Sequence, residues 1–283
     1  MRTLRYALCD VFTDRPLEGN PLAVFTDGRS LDTRTMQALA RELNLSETTF
    51  VLPPERGGHA KVRIFTPYRE LPFAGHPTLG TAFVLGGALE LPELRLELEA
   101  GIVPVRLERE GARVAFGWMT QPDPRPLQFD EGAAVLDALG VSRTQLPLVA
   151  YENGPEHVLV MLDSAEAVAS LQPNFSALAR AARFGVSVFH AEGRSSRARY
   201  FAPSAGISED PATGSAAGPI AVFLHEHGLL APNETLTISQ GTEVGRPSTL
   251  YARLVCADPG SSPALRVEVG GCARVVARGQ FTF

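Results

Sequence analysis

Two short glycine turns in the sequence could bind a small acid. Pro72-x-x-Gly75-His76 and Pro211-x-x-Gly214-Ser215 each come directly before an apolar segment with helical character. The first N–H groups of a helix have no partner within the helix, and glycine lets a ligand approach them closely. Such helix starts favour carboxylates and other anions. The spacing predicts two anion-binding helix starts, although both glycines could also serve only to make tight turns.

Titratable side chains lie in or next to these turns. His76 opens the first apolar segment, and Asp210 and Ser215 flank the second turn. A carboxylic acid buried in an apolar site has a raised pKa and can exchange a proton near neutral pH. These residues are therefore candidates for acid–base chemistry. Asp210 could instead be a helix N-cap, and His76 could be a helix-start residue with a satisfied hydrogen bond.

Glu47 is a third candidate for proton transfer, in the segment Asn44-Leu-Ser-Glu-Thr-Thr-Phe-Val51. It follows an amphipathic helix and precedes a strand, and functional groups are often placed at such junctions. On residue type and spacing alone, a solvent-exposed turn acid is the simpler interpretation of this position.

The two glycine turns belong to an internal repeat with a constant offset of 139 residues, which aligns residues 70–85 with residues 209–224 without a gap. Five positions are identical in the two segments: Glu70/Glu209, Pro72/Pro211, Gly75/Gly214, Ala82/Ala221 and Leu85/Leu224. Upstream, Phe65-Thr-Pro67 matches Phe201-Ala-Pro203. The repeat predicts two homologous halves.

The elements that must position these residues are mainly short strands. Alternating or β-branched segments separated by turn residues predict a largely antiparallel sheet structure. Amphipathic helices are predicted at Thr33–Leu43, Asp130–Leu139 and Phe175–Phe184. Pro77–Leu85 and Ala216–His225 carry almost no charge on any face, which predicts two buried helices. We therefore predict an α+β fold with two pseudo-symmetric lobes, each an antiparallel β-roll or barrel around one buried apolar helix.

The predicted boundary between the two lobes lies at the start of a proline-rich stretch. Residues 1–118 plus 275–283 form the N-terminal lobe, and residues 119–274 form the C-terminal lobe. The stretch Met119–Pro126, in which proline alternates from Gln121 onward, is the predicted linker. Few contacts are expected to cross such a segment.

The composition excludes several partners. The chain has 283 residues, with 26 Lys and Arg against 31 Asp and Glu, so its net charge is −5. Without a basic cluster, nucleic acid is not an expected partner. Three separated cysteines without a CxxC motif predict neither a disulfide framework nor a zinc site. The longest uncharged apolar stretch, Pro211–Leu224, is too short to cross a membrane.

The sequence also argues against a pyridoxal-phosphate Schiff base, a P-loop and a His-Glu-x-x-His metal site. Lys61 is the only lysine, and its place in an alternating strand does not suit a Schiff base, while Thr81 stands where a P-loop has lysine. His225-Glu226-His227 lacks the second histidine of His-Glu-x-x-His.

The N-terminus reaches Asp10 before any apolar run long enough for a signal peptide. A cytoplasmic location is expected.

Six ordered motifs are spread over nearly the whole chain: Asp10-Val-Phe-Thr-Asp…Gly19-Asn-Pro-Leu-Ala-Val24, Asn44-Leu-Ser-Glu-Thr-Thr-Phe-Val51, Arg63-Ile-Phe-Thr-Pro67, Glu70-Leu-Pro-Phe-Ala-Gly-His-Pro-Thr-Leu-Gly80, Glu209-Asp-Pro-Ala-Thr-Gly-Ser215 and Gln240-Gly…Gly245-Arg-Pro-Ser248. Together they resemble the phenazine-biosynthesis PhzF-like isomerase family. The resemblance implies a diaminopimelate-epimerase-like fold with the active site in the cleft between two lobes. The internal repeat agrees with that fold.

The resemblance implies a role for each matching residue. It implies that Glu47 takes a proton from one carbon and returns it to another, and that three further residues line the site: His76, Asp210 and Ser215. Substrate binding is assigned to Asn20, Ser46, Gly75, Thr213 and Gly214. The family's phenazine enzyme isomerises a dihydro-hydroxyanthranilic acid without a metal or organic cofactor. We therefore expect a cofactor-independent isomerase of a small carboxylated metabolite, assembled as a homodimer.

Related epimerases and racemases of this fold place a cysteine before each loop glycine. Those positions are Ala74 and Thr213 here, which excludes racemisation by two thiols. One carboxyl group that removes and delivers the proton suits a shift on a single face of the substrate. Two alternatives remain open: epimerase-type proton exchange on an amino acid by Glu47 and Asp210, or a non-catalytic metabolite-binding protein with the same cleft.

Overall fold

The computed structural model describes residues 3–257 and 265–283. The chain divides into two compact units, Met1–Pro122 with Val269–Phe283, and Asp123–Glu268. The sequence places the boundaries at 118/119 and 274/275 instead. Met119 is fully buried in a strand that continues to Thr120, so the proline-rich stretch starts after that strand and not at residue 119.

The first unit is formed by strands around one central helix. Its elements are β1 (Thr3–Val11), β2 (Asn20–Phe25), α1 (Thr33–Leu43), β3 (Glu47–Leu52), β4 (Ala60–Phe65), β5 (Glu70–Leu71), α2 (Gly75–Gly86), β6 (Glu93–Leu98), β7 (Gly101–Glu110), β8 (Arg113–Thr120) and, at the C-terminus, β18 (Ala273–Thr282). Antiparallel pairs join β1 to β2 and β18, β3 to β4, β4 to β5, and β7 to β6 and β8. β2 and β3 pair in parallel, as do β4 and β6.

The second unit follows a similar path. Its elements are β9 (Arg125–Leu127), α3 (Gly132–Leu139), β10 (Val149–Glu152), β11 (Glu156–Met161), α4 (Ala165–Ala169), α5 (Phe175–Ala181), β12 (Gly185–Glu192), β13 (Ser195–Ala202), a 3₁₀ turn (Pro203–Ala205), β14 (Ile207–Asp210), α6 (Gly214–Glu226), β15 (Thr235–Gln240) and β16 (Ser248–Cys256). Strand β17 (Leu265–Gly271) leads back to the first unit. β11 pairs in parallel with β12, and β13 with β15.

The order of strand pairing is the same in both units. β2, β3, β4, β5, α2, β6 and β7 correspond in pairing order and direction to β11, β12, β13, β14, α6, β15 and β16. Each parallel pair is bridged by one or two helices, because parallel neighbours need a long crossover connection. The predicted α+β fold class with two repeated lobes is confirmed, and these parallel pairs are the main departure from a purely antiparallel roll.

Helices α2 and α6 are buried, as their lack of charge predicts. Ten of the twelve residues of α2 and ten of the thirteen of α6 are buried. A Cβ atom at Gly80 would lie 2.7 Å from side-chain carbons of Val11 and Leu22, so α2 packs tightly on β1 and β2. Both helices start two residues earlier than predicted, at the loop glycines themselves. No helix in the described ranges has the length and apolarity needed to span a membrane.

The same ion pair precedes each buried helix. Arg63 on β4 donates two hydrogen bonds to Glu70 on β5, with N···O distances of 2.6 and 2.5 Å. Arg199 on β13 donates two to Glu209 on β14, at 2.9 and 2.7 Å. In both pairs the guanidinium carbon lies over the phenylalanine ring two residues later, 5.1 and 5.0 Å from its centroid. The first pair is partly exposed, at 21% and 29%, whereas the second is buried, at 7% and 8%.

Candidate active site

In the first unit, three predicted site residues lie together. Glu47 is the first residue of β3 and Asn20 is the first residue of β2, its parallel neighbour. His76 is the second residue of α2. The Nε2 atom of His76 lies 3.4 Å from the Glu47 Oε2 atom. Glu47 is only 8% exposed, so its interpretation as a solvent-exposed turn acid is wrong.

His76 is held in one orientation by Asn20. The Asn20 side-chain amide nitrogen lies 3.2 Å from the imidazole Nδ1 atom and, as a donor, makes Nδ1 the acceptor. Complete burial lowers the pKa of His76 to about 3, so the ring is neutral and carries its proton on Nε2. This proton faces the Glu47 carboxylate. A separation of 3.4 Å is long for a hydrogen bond, and such contacts often shorten when substrate binds.

The strand and helix that carry these groups are bonded to each other. The Thr49 and Thr81 hydroxyl oxygens, both buried, are 2.9 Å apart, which links β3 to α2. Thr49 is two residues beyond Glu47 and lies on the same face of the strand. This bond therefore fixes the strand that carries the carboxylate against the helix that carries the imidazole. Of the other predicted residues, Gly75 begins α2 and is buried, and Ser46, half-buried, precedes Glu47.

In the second unit, Asp210 and Thr213 form a buried cluster with Gln240. The Thr213 hydroxyl donates to Asp210 Oδ2 at 2.5 Å, and Thr213 N–H donates to Gln240 Oε1 at 3.3 Å. The Gln240 amide donates to the Asp210 carbonyl at 2.8 Å and to the Thr213 hydroxyl at 3.1 Å. Thr213 occupies the N-cap position of α6, so the alternative of Asp210 as that N-cap is wrong. The cluster fixes the Asp210 carboxylate at the start of the helix.

Gln240 and Gly241 also form this site, although residue type and spacing alone did not predict a role for them. Gly241 has a φ of +82°, and a Cβ atom there would lie 2.4 Å from the carbonyl oxygens of Pro211 and Arg246. Only glycine fits such a close backbone approach. The Gln240-Gly241 motif is the signal in the sequence, but three of its partners, Asp210, Pro211 and Thr213, lie about thirty residues away.

Ser215 and Gly214 lie in the first turn of α6. Gly214 begins the helix, and Ser215 follows it with a buried side chain. The Ser215 carbonyl accepts a hydrogen bond of 2.9 Å from the side-chain amide of Asn153, which is also buried. Asn153 is therefore a further residue at this helix start that the sequence analysis did not single out.

The second unit has glycine at the place that Glu47 occupies in the first. Glu47 pairs with Leu22 across β2 and β3, and Gly185 pairs with His157 across β11 and β12. A Cβ atom at Gly185 would lie 1.7 Å from the Tyr200 hydroxyl oxygen. That hydroxyl lies 3.0 Å from Nδ1 of His157. In the second unit, a tyrosine hydroxyl therefore fills the space at this strand start.

His157 gives the fold a pH dependence that can be measured. Burial lowers its pKa to about 3, whereas an unfolded histidine has a pKa near 6.5. Between these values the unfolded chain binds more protons, so the free energy of unfolding falls as the pH decreases below about 6.5. In His157→Gln, this fall between pH 6.5 and pH 5 should be shallower by about 1 kcal/mol per pH unit. Urea unfolding of the wild-type protein and of His157→Gln at several pH values in this range measures the free energy of unfolding. If this free energy changed with pH in the same way in both proteins, the prediction would be wrong.

The described residues contain no cluster built for a metal ion. Within residues 3–257 and 265–283, no group of three or more His, Cys, Asp or Glu side chains is placed to bind one. His225 and His227 instead lie with their Nδ1 atoms 2.9 and 2.8 Å from the carbonyl oxygens of Leu230 and Phe223. These two histidines therefore contact backbone carbonyls at the C-terminal end of α6 and in the turn that follows it.

Comparison with known proteins identifies the family. Residues 9–279 match the sequence pattern of the family described as phenazine biosynthesis-like protein, PhzC-PhzF. The chain belongs to this family. A Pseudomonas aeruginosa protein named trans-2,3-dihydro-3-hydroxyanthranilate isomerase is 45% identical over 276 residues, which cover 98% of each chain. The resemblance of the motifs to PhzF-like isomerases is thereby confirmed.

Two solved structures of known proteins share the fold. A phenazine biosynthesis protein of the PhzF family from Bacillus anthracis superposes with a TM-score of 0.84 and 25% identity over 100% of both chains. A Pseudomonas aeruginosa protein described as a predicted epimerase gives a TM-score of 0.83 and 33% identity over 99% of both chains. The fold expected from the motifs is therefore confirmed for the described residues.

Proposed function

We propose that this PhzF-family isomerase acts on trans-2,3-dihydro-3-hydroxyanthranilate, or on a closely similar cyclic amino acid, by moving a proton from one ring carbon to another. The observation that carries the proposal is the buried Glu47 carboxylate beside the neutral His76 imidazole. A relative with 45% identity bears the name of this isomerase, which supports the choice of substrate.

Glu47 is the proposed acid and base. As a carboxylate it takes a proton from a ring carbon next to the conjugated double bonds, and the electron pair left behind spreads over the conjugated system. The protonated Glu47 then returns the same proton to a different carbon, so no atom is gained or lost. One group acts as both base and acid, and the burial of Glu47 limits loss of the proton to solvent.

His76 keeps the carboxylate in place without competing for the proton. Its pKa of about 3 prevents it from taking the proton from Glu47. Its Nε2–H can donate a hydrogen bond to the ionised carboxylate and so offsets part of the cost of burying that charge. Asn20 orients the ring for this bond, which makes it a positioning residue in addition to its predicted role in substrate binding.

The other predicted site residues have proposed contacts of their own. Asp210, fixed by Thr213 and Gln240, is an acceptor for an amino or hydroxyl group of the substrate. Ser215 is a donor or acceptor for a polar group, and the helix starts at Gly75 and Gly214 favour the substrate carboxylate. Ser46 is a further polar contact next to Glu47. Thr213 also orients Asp210, because its hydroxyl donates to that carboxylate.

The proposed activity can be tested by NMR on the purified protein in D₂O, with EDTA present. Conversion of trans-2,3-dihydro-3-hydroxyanthranilate to an isomer with hydrogen at a new ring carbon is the expected result. Deuterium at the α-carbon of an amino acid, without isomerisation, would support the epimerase alternative instead. Ligand binding with neither reaction would support the non-catalytic alternative.

We also propose that the enzyme needs no metal or organic cofactor, is cytoplasmic and forms a homodimer. The proton transfer described above uses only side chains of the chain itself. Closed dimers are the commonest symmetric assembly. Activity after exhaustive dialysis against EDTA and the mass measured by light scattering test the first and last of these points.

A further inference from the structure

Helix α6 contains a proline that removes one of its own hydrogen bonds. Pro219 lies within Gly214–Glu226 and is buried. In an α-helix the N–H of residue 219 would donate to the carbonyl of residue 215, but proline has no N–H, and its ring crowds that carbonyl. The Ser215 carbonyl therefore loses its partner within the helix. Since Ser215 is also buried, an unpaired carbonyl there would be costly.

Asn153 supplies the missing donor. It lies in the turn between β10 and β11 and is only 2% exposed. Its side-chain Nδ2 donates to the Ser215 carbonyl at 2.9 Å. The turn itself is fixed by a bond of 3.1 Å from the Asn153 N–H to the Pro155 carbonyl. A side chain from another part of the unit thus replaces the backbone donor that the proline lacks.

The corresponding helix in the first unit needs no such substitute. In the repeat, His76 corresponds to Ser215 and Gly80 corresponds to Pro219. Gly80 has an N–H group that can donate to the His76 carbonyl within α2. Only the second unit therefore has a proline four residues after the residue at its helix start, and it has a buried asparagine that meets the freed carbonyl.

We propose that Asn153 is a positioning residue for Ser215. By binding the Ser215 carbonyl, to which Pro219 cannot donate, it sets the position of the first turn of α6, and with it the Ser215 hydroxyl and the Gly214 N–H. The inference rests on the proposed role of this helix start in binding substrate. It adds a residue 62 positions away in sequence that determines the geometry of the turn.

The test is a double-mutant cycle of Asn153→Ala and Pro219→Ala. Asn153→Ala should lower kcat about 10–100-fold and the Tm by about 2–8 °C, because a buried carbonyl loses its donor. Pro219→Ala restores an N–H at residue 219, so the double variant should recover kcat to within about 3-fold of Pro219→Ala alone. Asn174→Ala, which removes the N-cap of α5 in the same unit, is the control: it should lower the Tm without changing kcat.

Each outcome decides the proposal. Recovery of both Tm and kcat in the double variant supports it. A kcat unchanged in Asn153→Ala, or changed no more than in Asn174→Ala, makes the hydrogen bond purely structural and overturns it, as does failure of Pro219→Ala to rescue. If the wild-type protein does not isomerise the proposed substrate, the proposed function fails separately. In that case the double-mutant cycle is evaluated from the Tm and from the Kd for 3-hydroxyanthranilate, a non-isomerisable analogue, measured by calorimetry. The positioning role is overturned if Asn153→Ala does not raise this Kd. It is also overturned if the double variant does not restore it.

Discussion

Glu47→Gln should reduce isomerase turnover at least 10³-fold, within the range that general acid–base groups contribute. Glutamine has nearly the same shape but can neither take nor return a proton. The neutral His76 beside it has a pKa of about 3 and cannot replace it as a base. Because the substitution keeps the shape of the site, the Kd for 3-hydroxyanthranilate should change by less than about 5-fold. Product formation by NMR and binding by calorimetry measure the two quantities.

Glu55→Gln is a matched control for this substitution. Glu55 is exposed and pairs with Lys61 at 2.8 Å, at the surface of the same unit. Turnover should therefore stay at the wild-type value. If Glu47→Gln kept turnover within about 10-fold of wild type, another group would have to carry the proton, and the acid–base assignment would be wrong.

Glu209→Gln should destabilise the fold far more than the equivalent Glu70→Gln. Both change the carboxylate of the repeated ion pair, but Arg199 and Glu209 are buried and Arg63 and Glu70 are partly exposed. Removing one partner of a buried pair leaves an uncompensated charge and costs about 3–5 kcal/mol. A partly exposed pair contributes under about 1 kcal/mol. Thermal unfolding should show a Tm lower by about 6–15 °C for Glu209→Gln and by less than about 4 °C for Glu70→Gln.

The two variants serve as controls for each other, since residue type, repeat position and change are the same. Equal Tm shifts would mean that burial does not decide the strength of the pair.

Arg199 also donates to the Leu171 carbonyl at 2.8 Å, near the end of α4. Glu209→Gln should therefore also speed hydrogen exchange in α4, and hydrogen–deuterium exchange measured by mass spectrometry would detect this loss of protection.

Local sequence signals predicted five of the six α-helices in the described residues and missed only the short helix α4. Helix α1 has the predicted bounds, with Asp32 accepting from the Thr35 N–H at 2.8 Å as its N-cap. The internal repeat, in which Glu70 matches Glu209, predicted two similar halves, and the order of strand pairing confirms this. Helix α5 was predicted three residues too long, because Ala182 leaves the helix with extended backbone angles and turns into the core.

The site could be predicted only in part, because its geometry depends on contacts between distant residues. The exposure of Glu47 could not be judged from its neighbours, since parallel pairing of β2 with β3 and packing on α2 bury it. Gln240 and Asn153 act on residues 27 and 62 positions away, respectively. In the sequence, Asn153 is an ordinary turn residue and Gln240 an ordinary strand residue, so neither indicates its distant partner. Only the tertiary fold shows which carbonyl or hydroxyl they bind.

The filled space at Gly185 limits how this protein could evolve. A glutamate there would put its Cβ atom 1.7 Å from the Tyr200 oxygen, so that substitution alone cannot be accommodated in the core. Tyr200 would first have to become smaller, and His157 would then lose its partner. The two halves of the repeat therefore differ chemically at this strand start, and changing the codon of Gly185 alone would not make them equivalent.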